Sequence, residues 1–188
     1  MIMTQAADAL QEILFSEEEL HRRVMELGQE IRRDYENMKD FDGRLLVVGM
    51  LRGSFIFMAD LVRAIDLHCE IDFMQTSSYG NSTESSGNVR IVKDLSNIEG
   101  QHILIVEDIV DSGNTMDYVL RLLKSRNPAS LKLCSLLDKP SRRKVPVRLD
   151  YCGFSIEDKF VVGYGLDFAN MYRNLPYIGV LKPEYAKK

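Results

Sequence analysis

Glu107 and Asp108 close an apolar run, and three residues later the chain reads Asp111-Ser112-Gly113-Asn114-Thr115. Adjacent carboxylates can accept hydrogen bonds from the vicinal hydroxyls of a sugar. A Ser-Gly-Asn-Thr turn that opens a helix offers clustered backbone N–H groups, two hydroxyls and the positive end of the helix dipole, which together suit a phosphate monoester. Gly113 permits the tight turn and close backbone approach. Phosphate donors beside diol acceptors describe a site for ribose 5-phosphate. The simpler account makes Ser112 or Thr115 a helix cap and the acidic pair solvated strand-end charges. An acidic pair at a strand end followed by DSGNT argues against it.

The elements that must position these groups follow from periodicity. Residues 16–35 read as a helix: Ser16 and Glu19 form a capping box, and Leu20, Val24, Leu27 and Ile31 share one face. RLLVVGM at 44–50 has the composition of a buried parallel strand. It breaks at Leu51-Arg52-Gly53-Ser54 and passes into a helix over 55–65 that is apolar on more than one side, as expected of a sandwiched helix or a subunit contact. A second strand at about 70–76 leads into a polar segment, 78–90, of the length of a lid or a disordered loop. A third strand is expected over 101–107, then a helix with Met116, Val119, Leu120 and Leu123 on one face, and strands over 130–137, 159–164 and 177–181. Strands alternating with helices imply an α/β fold with a mostly parallel sheet covered on both faces. Ligands of such sheets sit beyond the carboxyl ends of the strands, where 51–54 and 107–115 both lie.

The chain has 188 residues and a net charge of −4, enough for one α/β domain and weakly against a general nucleic-acid or membrane surface. An anionic substrate is still compatible, because local donors and a metal can outweigh the global charge. The opening segment does not read as a signal peptide, and no apolar run approaches a membrane span. Cys69, Cys134 and Cys152 lack metal-ligand spacing and are expected as reduced, buried thiols of a cytoplasmic protein. His21 and His102 are expected at the surface, and His68 has no visible metal partner.

Residues 106–115, VEDIVDSGNT, resemble the phosphoribosyl-diphosphate signature of type I phosphoribosyltransferases. The wider chain, about 15–182, resembles the hypoxanthine (hypoxanthine–guanine) branch through four motifs in family order: LRGS, SSYG, VEDIVDSGNT and KFVVGYGLDF…YR. The resemblance implies a twisted, mostly parallel sheet flanked by helices, with a small hood built from the terminal segments (about 140–188 at the C-terminal end), all in a single domain over 1–188. It further implies purine salvage: transfer of 5-phosphoribosyl from phosphoribosyl diphosphate to hypoxanthine, and to guanine, giving IMP or GMP and pyrophosphate.

Carried over by position, Leu51, Arg52 and Gly53 match the pyrophosphate loop, where the peptide before the basic residue is often cis. Ser78 and Tyr79 match the start of a mobile loop, about 78–90, that closes over the reacting centre and excludes water. Glu107 and Asp108 would hold the ribose 2- and 3-hydroxyls, directly or through Mg²⁺, and residues Asp111, Ser112, Gly113, Asn114 and Thr115 the 5-phosphate. Asp111 corresponds to the general acid or base near the purine N7. Lys139 matches the lysine that reads the 6-oxo group and so rejects adenine. Phe160 would stack on the base, Val161 would offer its backbone to the purine edge, Asp167 matches a Mg²⁺ ligand and Arg173 a pyrophosphate contact. Some relatives carry Lys where Asn114 stands; an amide still donates to phosphate without charge, so affinity rather than activity should change.

The family resemblance and the apolar 55–65 helix both suggest a homodimer or homotetramer. Rival readings are a guanine or xanthine preference, or a ligand sensor that keeps the fold and binds DNA or RNA. A sensor of that kind needs an added module or a basic face, and the roughly 40 residues before the first expected strand supply one acidic amphipathic helix. Nucleotide binders marked by GxxxxGK[ST] or GxGxxG are excluded, since neither pattern occurs.

Overall fold

In a computed structural model, which describes residues 8–78 and 89–185, a six-stranded sheet carries helices on both faces and a smaller sheet stands beside it. The elements in chain order are β1 (Leu10–Phe15), α1 (Glu17–Glu36), β2 (Arg44–Leu51), α2 (Phe55–Ile65), β3 (His68–Ser78), β4 (Val89–Lys93), β5 (His102–Val110), α3 (Asn114–Lys124), β6 (Ser130–Asp138), β7 (Tyr151–Ser155), β8 (Val161–Val162) and β9 (Ile178–Leu181). The large sheet runs β4-β3-β2-β5-β6-β7, parallel except for the antiparallel edge strand β4. The small sheet, β1-β9-β8, is antiparallel and joins the two ends of the chain into the expected hood.

The alternation of side chains along each strand sorts the core into two layers. Leu45 and Val47 of β2, with Leu104 and Val106 of β5, face α1 and α2. Val48 and Met50, with Ile103 and Ile105, face α3 through Met116, Val119 and Leu123. Each such fully buried aliphatic side chain contributes roughly 1.5–3 kcal/mol, which fixes the register of the strands and hence of the loops they carry. The capping box forms at the start of α1: Glu19 N–H donates to Ser16 Oγ at 3.2 Å and Ser16 N–H donates to Glu19 Oε2 at 2.8 Å. Helix α2 is sandwiched, burying Phe57, Leu61 and Ile65, and Gly28 lets α1 come down onto Ala64.

Several expectations need correction. Strand β5 runs to Val110, so Glu107 and Asp108 lie inside the strand and not at its end; continued pairing to β6 at Ile109–Leu137 and Val110–Asp138 holds them there. Strands β1, β4 and β7 are additions to the expected set: β1 pairs with β9 at the far end of the chain, while β4 and β7 are short edge strands beside β3 and β6. Val89 and Arg90 pair with β3, which shortens the polar connection, and the expected strand over 159–164 contracts to β8. His102 is buried: its Nε2–H donates to the Asp40 carbonyl at 3.1 Å and its Nδ1 accepts from Ser130 Oγ at 2.9 Å. Of the cysteines, all unbridged, Cys134 is buried while Cys69 and Cys152 are only half-buried.

Candidate active site

β2 and β5 are neighbours, yet the helix that follows β2 packs on one face and the helix that follows β5 packs on the other. Their carboxyl ends therefore open into the crevice where strand order reverses, the usual ligand position of such sheets. The LRGS turn and the VEDIVDSGNT segment meet there. The Leu51–Arg52 peptide is cis, as the resemblance implied. Gly53 lies so close to Asp108 that a Cβ would overlap its carboxylate, and Gly165, at φ 100°, brings the C-terminal segment onto the Gly53 carbonyl.

The acidic pair is heavily shielded. Glu107 Oε2 is buried without a hydrogen-bond partner among the described residues. Burial, and then the neighbouring Asp108, push the Glu107 carboxyl well above the usual carboxylate range. Burial also raises Asp108, opposed by the hydrogen bond from Ile109 N–H at 3.0 Å and by the nearby charge of Arg173. Two proton-prone carboxyls with an orphaned oxygen are what a cation or a pair of sugar hydroxyls would satisfy. Among the described residues no group of three or more His, Cys, Asp or Glu could hold a metal by itself. An all-oxygen pair suits Mg²⁺, which characteristically takes one or two carboxylates and completes its shell from substrate phosphates and water.

Beyond β5, Gly113 adopts φ 86° and begins α3, with Asp117 N–H donating to the Gly113 carbonyl at 2.9 Å. Asn114 N–H reaches Ser112 Oγ at 3.4 Å. Asp111 Oδ1 is shielded and receives no well-aligned hydrogen bond, although Arg142 Nε stands 3.2 Å away. Arg142 also reaches Asp158 at 3.3 Å, and Asp158 lies 3.7 Å from the Lys139 ammonium. Lys139 is buried to 8% exposure at the end of β6, and its N–H donates to the Val110 carbonyl at 3.0 Å. A buried ammonium whose ionic partner stands beyond hydrogen-bonding reach keeps its donors for a ligand.

The hood supplies the remaining wall. Phe160 is 47% exposed, its ring edge-on to Phe168 with centroids 5.5 Å apart. Val161 belongs to β8, an edge strand of the small sheet whose pairing is with Val180 of β9, so among the described residues one edge of its backbone has no strand beside it. Asp167 pairs with Arg173 at 2.6 Å and accepts from Asn170 N–H at 2.8 Å, while Arg173 Nη1 donates to the Gly165 carbonyl at 2.6 Å. Tyr164, Ala169, Asn170 and Tyr172 all have positive φ, a concentration of backbone strain in the segment that carries Asp167 and Arg173. Ser78 ends β3, two strands from β5, and Tyr79 lies outside the described residues. Sequence reasoning missed Arg142, Arg143, Asp138 and Asp158; the basic run Arg142-Arg143-Lys144, which follows Lys139 after Pro140 and Ser141, was the available signal.

A shielded acidic pair at a sheet-end crevice, followed by a glycine turn into a helix and flanked by a buried lysine, has the chemistry of a protein that binds a phosphorylated sugar. Residues 11–169 match the phosphoribosyl transferase domain. The chain is 53% identical over 175 residues to the hypoxanthine-guanine phosphoribosyltransferase of Bacillus subtilis, covering 93% of this chain and 94% of that protein. It is 52% identical over 169 residues to the hypoxanthine phosphoribosyltransferase of Escherichia coli K12, covering 89% and 93%. It is also 52% identical over 176 residues to the bifunctional protein TilS/HprT of Listeria innocua, of whose length it spans only 26%. A crystal structure of a hypoxanthine phosphoribosyltransferase from Staphylococcus aureus superposes with a TM-score of 0.93 at 46% identity, covering 100% of both chains. The chain belongs to the phosphoribosyltransferase family, in its hypoxanthine phosphoribosyltransferase branch.

Proposed function

We propose that the chain is a Mg²⁺-dependent purine-salvage enzyme that transfers 5-phosphoribosyl from phosphoribosyl diphosphate to hypoxanthine and guanine, yielding IMP or GMP and pyrophosphate. The observation that carries this reading is the meeting of three chemistries at the carboxyl ends of neighbouring strands: the turn into α3 after β5, the shielded acidic pair Glu107–Asp108 on β5, and buried Lys139 directly after β6. Relatives named as hypoxanthine phosphoribosyltransferases support the substrate assignment and give the ligand-sensor reading no support.

In this reading the 5-phosphate sits in residues 111–115 and the diphosphate against Arg52, Gly53 and Arg173. Glu107 and Asp108 hold the ribose hydroxyls, and with Asp167 they would hold Mg²⁺, which when bound offsets charge on the departing pyrophosphate. Phe160 stacks on the base, Val161 meets its edge, and Lys139 donates to the 6-oxo oxygen, for which a 6-amino group is a poor substitute. The purine nitrogen attacks C1 of the ribose as the C1–O bond to the diphosphate breaks and pyrophosphate leaves intact, and Asp111 handles the proton at N7, worth roughly 10²–10⁴ in rate. The loop that the resemblance implies at about 78–90, most of which lies outside the described residues, would keep water from the cation-like sugar. A cytoplasmic homodimer or homotetramer is the assembly that fits this reading.

The test is a spectrophotometric assay with Mg²⁺ and phosphoribosyl diphosphate, offering hypoxanthine, guanine, xanthine and adenine separately. Turnover of 6-oxopurines but not adenine is expected, and relative kcat/KM values rank the bases. Folded protein that binds the ribose donor but turns over no base would overturn the enzyme reading. Light scattering tests the assembly, with a monomer counting against it.

A further inference from the structure

Three successive carbonyls of the phosphate segment point the same way. The Val110 carbonyl accepts from Lys139 N–H at 3.0 Å and from Arg143 Nη2 at 3.4 Å. The Asp111 carbonyl accepts from Arg143 Nε at 3.1 Å. The Ser112 carbonyl accepts from Lys144 N–H at 2.9 Å and Val145 N–H at 3.1 Å. In a trans peptide the C=O and the N–H that follows it point in opposite directions. The N–H groups of Asp111, Ser112 and Gly113 are therefore turned away from the 139–145 segment together. A run of N–H groups facing one side is an anion-binding concavity. Gly113 packs on the back of this run, where a Cβ would overlap the Val145 carbonyl and crowd Arg143 Cδ.

We infer that Arg143 is a positioning residue for the 5-phosphate, acting from behind the loop. Its guanidinium is largely shielded, at 17% side-chain exposure. Every nitrogen of the fork is engaged: Nε and Nη2 on the loop carbonyls, Nη1 on the Val147 carbonyl at 3.4 Å, and Nη2 also on the Asp138 carboxylate. It thus holds the loop rather than a ligand. Aligning three peptide dipoles toward one point is costly unless their negative ends are met, and a planar cation meets two of them at once. Lysine, a point charge with no fork, cannot reproduce that geometry. Asp138, at the end of β6, fixes the guanidinium to the sheet, so the cradle inherits its orientation from the β5–β6 register.

This inference rests on the proposed placement of the 5-phosphate in residues 111–115, and the test separates the two. In Arg143→Lys, the KM for phosphoribosyl diphosphate and the Kd for ribose 5-phosphate by calorimetry should each rise about tenfold or more, the loss expected for charge-assisted hydrogen bonds. The KM for hypoxanthine should stay within about twofold. In Arg143→Ala, added guanidinium ion should restore part of the ribose 5-phosphate affinity. A folded Arg143→Lys protein with unchanged ribose 5-phosphate affinity, or with both KM values raised equally, overturns the positioning role. A wild-type protein that binds no ribose 5-phosphate sinks the phosphate-site reading itself.

Discussion

Gly53 packs so tightly against the Asp108 carboxylate that no room is left for a methyl group between the turn after β2 and strand β5. The contact joins the proposed pyrophosphate loop to the proposed ribose site. In Gly53→Ala, either the loop or Asp108 must shift, and displacements of about 1 Å at a reacting centre can cost roughly 10²-fold. Steady-state kinetics should show a loss of kcat/KM of that order for both substrates; near-wild-type activity would show that the contact is dispensable.

Glu107 holds its proton more tightly folded than unfolded, because burial raises its carboxyl. The sign follows from linkage. The stabilising contribution is full below the ordinary value of 4.5 and is lost as pH rises through the higher folded value. In the ligand-free protein Glu107→Gln should therefore raise Tm at pH 7.5, by about 2 °C or more if the penalty removed reaches 1 kcal/mol. The gain should vanish near pH 4. A lower Tm at pH 7.5, or a gain independent of pH, would contradict this assignment.

Lys139 should set the choice of base. Lys139→Gln is expected to lower kcat/KM for hypoxanthine by roughly 10–100-fold, the value of a charge-assisted hydrogen bond, and to narrow the gap to adenine. Asp158→Asn should cost less than about fivefold, since its carboxylate is half-exposed at 51% and the pair is screened. Equal effects from both variants would point to the pair, and not the ammonium, as the reader.

Phe160 is half-exposed, its ring edge-on to Phe168. Phe160→Ala should raise the KM for purines about tenfold, as loss of one base–aromatic stack does. The KM for phosphoribosyl diphosphate and the Tm should hardly move, because little buried area is lost. A large drop in Tm would instead make the ring a structural element.

Local chemistry was legible along the chain wherever a residue's partners are its sequence neighbours. The Ser16–Glu19 capping box, the apolar face of α1, the limits of α2 and the Gly113 turn into α3 all depend on contacts within a few residues. The acidic pair and the DSGNT turn pointed to a sugar phosphate for the same reason: donors and acceptors lie side by side in the chain.

What the tertiary structure decided is every relationship that spans the sheet. The β5–β6 ladder carries Glu107 and Asp108 inside a strand, beside the cis Leu51–Arg52 peptide on β2. The buried state of His102 depends on Asp40 and Ser130, 62 and 28 residues away. Arg143 reads as one charge in a basic run until folding lays it behind carbonyls 32 and 33 residues earlier in the chain. Residue type and spacing determine which groups are offered. Burial and strand register, set by the packing of the whole sheet, determine which of them face one another and at what cost in charge.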